Sequence, residues 1–406
     1  MVAAHLKALG VPALIIEKSD IIGEIWRKRY EYLSLHFPHW ADHFPYFPYP
    51  EQWPTYTPAQ KMGLFMEWYA SSLELHIWTS STVIQADQDE GSSGSWTIKV
   101  NKGGKETRTL KPTHLVMATS LCGVPTTPVI PGMTEWKGGI YRHSTTHDSS
   151  REWVGKRVLV VGTSSSGMDT AYDCARRGID VTLLQRSPTY VMSLTHSVPR
   201  AIGHYEPKNG KRPNIEEADR VTFATPTGPG EELGRRNAEV LERLDKDLLD
   251  GLHAKGFKTY RGQRGTGNAT LGSTRNGGFY FEAGACEQII NGKIKMAQGN
   301  IERFTEDKVI LSGGREEHYD LIVFATGFSN TIDSVRNILG DSIANRCGPI
   351  WGVDKEGEFK SAYKESGVPN LWLMVGYLPF SRFHSKRVAL RLKALLEGVA
   401  RAPYKG

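Results

Sequence analysis

Apolar runs, turn residues and helical spacing occur in one characteristic order in the middle of the chain. An apolar run at residues 158–161 is followed by a glycine- and serine-rich turn at 162–167, a segment with helical spacing that ends at Gly178, and a second apolar run at 181–184. Strand, glycine turn, helix and strand in this order are typical of a unit that binds a dinucleotide. The pattern therefore predicts one such unit that begins near residue 154.

The same order occurs at the start of the chain without its opening. When the sequence is shifted by 168 positions, Gly178 falls on Gly10, and residues 181–186 fall on residues 13–18. Gly167 then falls just before Met1. The sequence therefore predicts two dinucleotide-binding units, of which the first lacks its first strand and its glycine turn.

A second repeat marks the places where the chain crosses between the two units. Residues 114–120 and 320–327 are each an apolar run that ends in Ala-Thr and a small residue. Small residues at a strand end let the backbone approach a flat cofactor or a neighbouring segment closely. A strand with an ordinary turn would explain either copy alone, but two copies in matching places favour the two-unit interpretation.

These repeats predict the domain organisation and the fold class. Residues 1–150 would hold the truncated first unit, 151–320 the second unit, and 321–406 the return to the first. A Gly-, Pro- and charge-rich insertion interrupts the second unit at about 190–280, and within it residues 231–255 have the spacing of one amphipathic helix. The expected fold class is α/β, with two Rossmann-like domains of three-layer architecture and the second domain inserted into the first.

Residues 26–58 form an aromatic and proline-rich stretch. Prolines at 38, 45, 48, 50 and 54 exclude a long helix or a central strand. We therefore predict a packed loop over a pocket or an interface, without regular structure. The segment that follows predicts a helix at 58–75 and hairpin strands near 82–113.

Composition and charge exclude several classes of protein. No apolar run approaches the roughly 18 residues of a membrane span, and residues 1–16 have no signal-peptide cleavage site. The 4 cysteines are widely separated, without a CxxC pair or zinc-ligand spacing, so we expect reduced thiols, no metal and a cytoplasmic protein. The formal charge of +6 is spread along the chain, which favours an anionic cofactor over nucleic acid.

The residue after the second strand of each unit indicates its cofactor. An acidic side chain there binds a ribose, whereas a guanidinium suits a 2′-phosphate. Gln185 and Arg186 of the second unit favour NADPH over NADH, and the turn after Gly162, where Ser164 replaces the usual glycine, would bind the pyrophosphate. Glu17 of the first unit suits the adenosine ribose of FAD. A solvated surface side chain is the alternative for both Arg186 and Glu17.

Seven segments resemble the motifs of one known protein family, and together they span nearly the whole chain. They are GEIWRKRYEYLSLHFP (23–38), WPTYTP (53–58), ATSLCGVPTTPVIPG (118–132), GTSSSGMD (162–169), LLQRSPT (183–189), FATGF (324–328) and SRFHSKRVALRLKALLEG (381–398). Their order resembles that of the class B flavin-dependent monooxygenases, the superfamily of flavin-containing and Baeyer-Villiger monooxygenases, and especially its plant YUCCA-type and fungal branch.

The resemblance implies which residues contact the two cofactors. Those expected at FAD are Glu17, Lys18, Trp26, Arg27, Leu35, His36, Val83, Ala118 and Thr119. Those expected at NADP are Gly162, Thr163, Ser164, Ser165, Ser166, Gly167, Arg186, Ser187, Ala325, Thr326 and Gly327.

The superfamily's signature FxGxxxH is matched in part. Residues 139–143 supply GxxxH, but Trp136 lies one position too far upstream to be its aromatic residue. Where Baeyer-Villiger members continue to a Trp, this chain has His147. We interpret His143 as a hinge residue between domains rather than as a proton donor.

The resemblance also implies a two-stage reaction. NADPH reduces FAD by hydride transfer, and the reduced flavin captures O2 as a C4a-peroxide that oxygenates a nitrogen, a sulfur or an activated carbonyl of a small organic molecule. The cofactors carry this chemistry, so neither a side-chain nucleophile nor a metal is required. A helix that begins near residues 381–385 is expected to direct its N-terminus at the flavin; a helix that only packs is the alternative.

Two other functions and the oligomeric state stay open at this point. A truncated or diverged member would bind NADP(H) but little or no FAD, and would act as a binding protein or in flavin-independent chemistry. A disulfide reductase shares the two-unit layout but requires a redox-active cysteine pair beside the flavin, which the sequence lacks. A homo-oligomer is compatible with the sequence, and the substrate is not identified.

Overall fold

A computed structural model of the protein describes residues 1–89, 94–274 and 276–401. Its helices are α1 (Val2–Ala8), α2 (Glu24–Arg27), α3 (Ala59–Ser72), α4 (Ser165–Arg176), α5 (Leu194–Ala201), α6 (Ile215–Phe223), α7 (Thr227–Leu244), α8 (Lys246–Ala254), α9 (Asn268–Thr274), α10 (Ala285–Ile290), α11 (Thr331–Arg346) and α12 (Leu378–Leu396).

The strands before residue 150 are β1 (Ile15–Ile16), β2 (Ser34–Pro38), β3 (Tyr56–Pro58), β4 (Ile77–Trp78), β5 (Ser81–Gln88), β6 (Trp96–Lys102), β7 (Glu106–Leu110), β8 (Leu115–Met117) and β9 (Ile140–His143). The later strands are β10 (Arg157–Val161), β11 (Asp180–Gln185), β12 (Tyr190–Ser193), β13 (Phe279–Glu282), β14 (Ile294–Gln298), β15 (Ile301–Phe304), β16 (Val309–Leu311), β17 (Arg315–Glu317), β18 (Leu321–Phe324) and β19 (Leu371–Leu373).

A five-stranded parallel sheet forms the centre of the second unit. Its strand order is β14-β11-β10-β18-β9. Val158 and Leu183 face a buried cluster that includes side chains of α4 and α10. Leu159 and Leu184 face the opposite cluster, which includes side chains of β15 and β16. The apolar runs of the sequence are continuous because these strands are buried on both faces, between a helical layer and an antiparallel sheet.

The sheet of the second unit extends beyond the predicted range 151–320 on both sides. β9 precedes that range and β18 follows it, yet the two strands pair with each other, and β18 also pairs with β10. Boundaries at 150/151 and 320/321 would therefore divide one hydrogen-bonded sheet, and we propose that the second unit extends from about residue 140 to residue 324.

The first unit contains two separate pairs of parallel strands. β1 pairs with β4, and β8 pairs with β19. Within the described part of the chain no strand joins β1 to β8. Helix α1 packs against α12, where Leu6, Trp372 and Val388 share a buried cluster.

Two predictions for the surrounding segments are confirmed. The helix expected at 58–75 is α3, and the hairpin strands expected near 82–113 are β5, β6 and β7, which pair antiparallel. No helix in the described ranges has the length and apolarity needed to cross a membrane.

The prediction that residues 26–58 hold no regular structure is wrong at the two ends of the stretch. The end of α2 falls in it, and β2 and β3 pair antiparallel. Both strands end in a proline, at Pro38 and Pro58, where the ring interrupts the ladder least. Between them the chain is packed as expected, with Phe44 and Tyr49 buried against Phe65 of α3.

The single helix predicted at 231–255 is also wrong, because the chain breaks at Asp245 between α7 and α8. The buried carboxylate of Asp245 accepts hydrogen bonds from the N–H of Ser193 at 2.9 Å and from its hydroxyl at 2.6 Å. It also lies 2.6 Å from Nδ1 of His196. Asp245 thus binds the start of α5, and this competes with helical continuity.

Candidate functional site

The glycine turn between β10 and α4 is tightly packed against the end of β18. Gly162 has a φ of 111°, and a Cβ built there would overlap the carbonyl oxygen of Ala325. A Cβ built at Gly167 would overlap the carbonyl oxygen of Gly162. The structure therefore brings together three of the predicted NADP residues, and two of them must be glycine for the turn to close.

Four successive backbone amides of this turn are unpaired within the part of the chain that the structure describes. Helix α4 has 12 residues and Ser164 as its N-cap. Among the residues that the structure describes, no acceptor is bound by the N–H groups of Thr163, Ser164, Ser165 and Ser166. Four such amides at the positive end of a helix form an anion-binding site. The turn therefore fits a pyrophosphate.

The hydroxyl groups of the same turn have a different role. Oγ of Ser164 and Oγ of Ser165 donate to the carbonyl of Phe279 at 3.2 and 3.3 Å, and the N–H of Gly278 donates to Ser164 Oγ at 3.1 Å. The hydroxyl of Thr163 lies 2.7 Å from that of Thr189. These bonds fix the turn to the inserted segment, so its residues offer a ligand their amides rather than their hydroxyls.

The polar residues at the end of β11 separate into two groups. Arg186 and Ser187 are exposed. Gln185 is fully buried, and its side chain binds the backbone of Lys258 and the side chain of Gln298. Arg186 and Ser187 are therefore the residues of this strand end that are available to a ligand.

The two crossing segments lie side by side. Pro125 and Phe328 form an antiparallel bridge. The N–H of Thr126 donates to the carbonyl of Gly327 at 3.0 Å, and the hydroxyl of Thr326 donates to the carbonyl of Thr126. The repeat that marked these crossings in the sequence thus corresponds to two adjacent segments between the units.

His143 is bonded to the second crossing as a neutral imidazole. Its Nδ1 accepts the N–H of Thr145 at 3.2 Å, so Nε2 carries the proton and donates to the carbonyl of Gly327 at 3.0 Å. Burial lowers the pKa of His143. Both nitrogens are engaged, which supports the interpretation of His143 as a hinge residue. His147 is fully buried and lies 3.1 Å from the hydroxyl of Ser150.

Five predicted FAD residues lie in or directly after strands of the first unit, namely Glu17 and Lys18 after β1, Val83 in β5, and Ala118 and Thr119 after β8. The carboxylate of Glu17 accepts the N–H of Ser19 at 2.7 Å and is half-buried, whereas Lys18 is exposed. Val83 packs in the same cluster as Ile16 of β1. Ala118 and Thr119, directly after β8, are exposed.

The remaining predicted FAD residues lie in the aromatic stretch. Trp26 and Leu35 pack against the cluster that contains Phe44 and Tyr49. Arg27 is engaged elsewhere: its guanidinium donates to the carbonyl of Ile22 at 2.6 Å and to Glu67 of α3 at 2.5 Å. Arg27 therefore joins α2 to α3.

Arg29 is a candidate ligand residue that the sequence did not indicate. Its Nε is buried, and no hydrogen-bond partner for it occurs within the described ranges. Its charge acts on Asp169 of α4 and on Cys122 of the first crossing. A buried donor without a partner in the described ranges, close enough to act on Asp169 and Cys122, fits an anionic or carbonyl group of a bound flavin.

Asp169 is a second residue whose role the sequence did not indicate, although it ends the motif GTSSSGMD. Its Oδ2 accepts the hydroxyl of Tyr30 at 3.1 Å and lies 3.8 Å from Nε2 of His36. Burial raises the pKa of Asp169, and the charges of His36 and Arg29 oppose that shift. This cluster joins the helix behind the glycine turn to the loop of the first unit.

Sequence comparison places the chain in a family. The model of the flavin-binding monooxygenase-like family matches residues 15–200. Indole-3-pyruvate monooxygenase YUCCA1 of Oryza sativa subsp. japonica is 30% identical over 345 residues, which are 84% of this chain and 76% of that protein. The chain belongs to the class B flavin-dependent monooxygenase superfamily. Probable indole-3-pyruvate monooxygenase YUCCA8 of Arabidopsis thaliana is 29% identical over 334 residues, 81% of this chain and 72% of that protein.

Solved structures of flavin-dependent monooxygenases share the fold. An open crystal structure of cyclohexanone monooxygenase has a TM-score of 0.68 at 16% identity and covers 98% of this chain and 86% of that one. A flavin-containing monooxygenase from Stenotrophomonas maltophilia has a TM-score of 0.60 at 14% identity, with 97% and 95% covered. The predicted fold of two Rossmann-like domains is confirmed.

Membership confirms a flavin-dependent oxidoreductase and, at the level of the family, the cofactors FAD and NADPH. The individual contact residues stay predictions. In the described ranges no group of three or more His, Cys, Asp or Glu side chains is arranged to hold a metal ion.

Proposed function

We propose that this member of the superfamily oxygenates a small organic molecule at a nitrogen, a sulfur or an activated carbonyl, and that it binds NADPH and FAD at the residues described above. The observation that carries the proposal is the turn of unpartnered amides at 163–166, with Arg186 beyond it and the Asp169–Tyr30 contact behind it. These features support an anion site of one unit that faces the aromatic loop of the other.

The second unit would bind NADPH at two places in its β10-α4-β11 segment, the turn before α4 and the end of β11. The four amides would hold the pyrophosphate, and the guanidinium of Arg186 would pair with the 2′-phosphate. Ala325 and the crossing around Gly327 would pack beside the turn, where small residues allow a close approach.

The first unit would bind FAD through Glu17 at the adenosine ribose and through the unpartnered Nε of Arg29. Helix α12 begins at Leu378, three residues before the predicted 381, and has Tyr377 as its N-cap. The positive end of this 19-residue helix would stabilise negative charge on the reduced flavin.

FAD, when bound, supplies the activation of O2, and NADPH supplies the hydride. The chain's own residues orient these groups and control protons around them. Tyr30 keeps its proton, since burial raises its pKa and the hydroxyl donates to Asp169. The Nε2 proton of His143 is held in a hydrogen bond to the carbonyl of Gly327, and the neutral ring carries no second proton that it could release. The site is thus built to limit stray proton transfer.

A second candidate function is supported by the divided sheet of the first unit. β1 and β8 are not joined by a strand in the described structure, so the described residues form no strand-to-helix turn between them whose amides could hold the FAD pyrophosphate. In that case the chain would be a superfamily member that binds NADP(H) but little FAD.

One experiment distinguishes the two functions. The full chain is purified, its flavin absorption is recorded before and after addition of FAD, and NADPH oxidation is then followed together with O2 uptake. Flavin absorption with O2-dependent NADPH oxidation supports the monooxygenase. A colourless protein that gains no flavin but still binds NADPH refutes it and supports the second function. Arg186→Ala is the matched variant, which should keep the flavin and lose NADPH affinity.

A further inference from the structure

A buried ion pair joins the insertion to the last helix of the chain. Arg382 lies on α12, four residues after that helix begins, and Asp219 lies on α6 of the insertion. Nε and Nη2 of Arg382 donate to the two carboxylate oxygens of Asp219 at 2.9 and 2.6 Å. Both side chains are only 5% exposed. Two parallel bonds of this kind fix orientation as well as distance, so the pair sets the direction of α12 relative to α6.

The same guanidinium also holds the aromatic stretch of the first unit. Nη1 of Arg382 donates to the carbonyls of Ala41 and His43 at 2.7 and 2.8 Å. On the other side of the pair, the hydroxyl of Tyr205 donates to Oδ1 of Asp219 at 2.7 Å. One buried side chain therefore joins α12 to two segments that lie 163 and 341 positions away in the sequence.

The start of α12 lies among residues that are expected at the flavin. Leu378 packs against the same buried cluster as Trp26 and Leu35. Within the described ranges the N–H groups of Leu378 and Phe380 bind no acceptor. The positive end of α12 is therefore unpaired and lies beside predicted FAD residues.

Stability alone does not explain the buried pair of Arg382 and Asp219. Two charges are costly to remove from water, and apolar side chains of similar size often stabilise such a place equally well. All four bonds of the guanidinium go to acceptors outside α12. Their effect is therefore to fix where the start of this helix lies.

We propose that Arg382 is a positioning residue of the oxygenation reaction and that, together with Asp219, it holds the positive end of α12 against the flavin. The proposal rests on the monooxygenase function proposed above. Reduced flavin carries more negative charge than oxidised flavin, so a helix end held at this place favours the reduced form. The insertion thus acts on the flavin through α6 and Asp219.

The test measures the midpoint potential of the flavin bound to the purified full chain, because a purely structural role would leave this quantity unchanged. Arg382→Lys keeps the charge, but one ammonium group cannot reach the carboxylate and both carbonyls in the geometry of a guanidinium. The variant should lower the affinity for reduced relative to oxidised flavin by about tenfold. For two electrons this is a fall of about 30 mV in the midpoint potential.

Asp219→Asn separates the effect of position from that of charge. The amide offers the guanidinium one acceptor instead of two, so the direction of α12 is no longer fixed. Loss of a negative charge would by itself raise the potential, whereas displacement of the helix end lowers it. A lower potential in Asp219→Asn supports the positioning role, and an unchanged or higher one overturns it.

Lys386→Ala is the matched control. Nζ of Lys386 lies 3.1 Å from the carboxylate of Glu216, so this exposed pair joins the same two helices at the surface. The variant should keep the potential of the wild type. A fall as large as that of Arg382→Lys would show that any lost contact between α12 and α6 has this effect, and would overturn the specific role of Arg382.

The failures of the two proposals differ. If the wild-type chain takes up no FAD, the proposed monooxygenase function is wrong, and the role of Arg382 is wrong with it. If the wild type takes up FAD and oxidises NADPH with O2, while Arg382→Lys and Asp219→Asn both keep its potential, only the positioning role is wrong. Melting temperatures are recorded alongside, and Asp219→Asn decides alone if Arg382→Lys does not fold.

Discussion

The hydroxyl of Tyr30 donates a hydrogen bond of 3.1 Å to the carboxylate of Asp169, across 139 positions of sequence. Tyr30 belongs to the aromatic loop of the first unit, and Asp169 lies on α4 just behind the glycine turn of the second. Both side chains are buried. This contact joins the two halves of the proposed active site.

Replacement of Tyr30 by Phe should lower the free energy of unfolding by about 1–3 kcal/mol, because the buried carboxylate of Asp169 loses its donor. Urea unfolding followed by fluorescence measures the change. Tyr141→Phe is the control, since that ring is exposed. Equal stability of the Tyr30 variant and the wild type would contradict the role assigned to this contact.

The free energy of unfolding should fall as the pH rises from about 4 to about 7, because of the buried side chain of Asp42. Burial raises the pKa of Asp42 to about 7. The charge of Arg382 opposes this shift but does not cancel it. Its guanidinium donates to Asp219 at 2.6 and 2.9 Å and to the carbonyls of Ala41 and His43 at 2.7 and 2.8 Å, rather than to Asp42. In this pH range the folded state holds a proton on Asp42 that the unfolded state has released, so a higher pH favours unfolding.

Asp42→Asn removes that proton linkage. The variant should therefore gain ~2–4 kcal/mol over the wild type at pH 8 and lose this advantage near pH 4. Melting temperatures of both proteins across this pH range measure the effect, with the exposed Asp307→Asn as the control. Parallel curves for wild type and Asp42→Asn would show that Asp42 does not titrate in this way.

The bond between His143 and the carbonyl of Gly327 should control how the two units approach each other. His143→Ala should slow anaerobic reduction of the flavin by NADPH by about 10- to 100-fold, since small displacements of the reacting groups cost this much. His143→Gln keeps an N–H donor and should lose less. Stopped-flow absorbance measures the rate, and equal rates in all three proteins would exclude the hinge role.

Gly167→Ala should weaken NADPH binding by more than about tenfold, because the added methyl group would overlap the carbonyl of Gly162 and open the turn. Gly230→Ala is the matched control: Gly230 lies in α7 with open space around it, and alanine favours a helix there. Fluorescence titration with NADPH compares the two. Unchanged affinity in Gly167→Ala would show that the pyrophosphate binds elsewhere.

The sequence predicted those parts of the site that depend on neighbouring residues. The glycine turn and Arg186 lie within one strand–helix–strand segment, and the two crossings were marked by a repeat, so local pattern was sufficient. The position of Gln185 at the end of a strand predicted a contact with the cofactor. In the structure its side chain is instead hydrogen-bonded to the backbone of Lys258. That contact joins distant segments, and no local pattern encodes it.

The predicted long helix is wrong, and the predicted domain boundaries differ from the strand pairing, for the same reason: the deciding contacts join residues that are far apart in the sequence. Residues 321–324 were assigned to the first unit, because an apolar run does not indicate which sheet will pair with it; the hydrogen bonds to β10 and β9 decide this. The periodicity of 231–255 continues through Asp245, and only the distant Ser193 and His196 explain the break.

The pairing of Leu115 with Leu371 has a consequence for biosynthesis. β8 leaves the ribosome before the whole of the second unit, and its partner β19 leaves after it. At about 5–20 residues per second, β8 stays without β19 for roughly 10–50 s. During this time its edge is open to other chains. The nascent protein therefore depends on chaperones or on early folding of the second unit to protect that edge until synthesis is nearly complete.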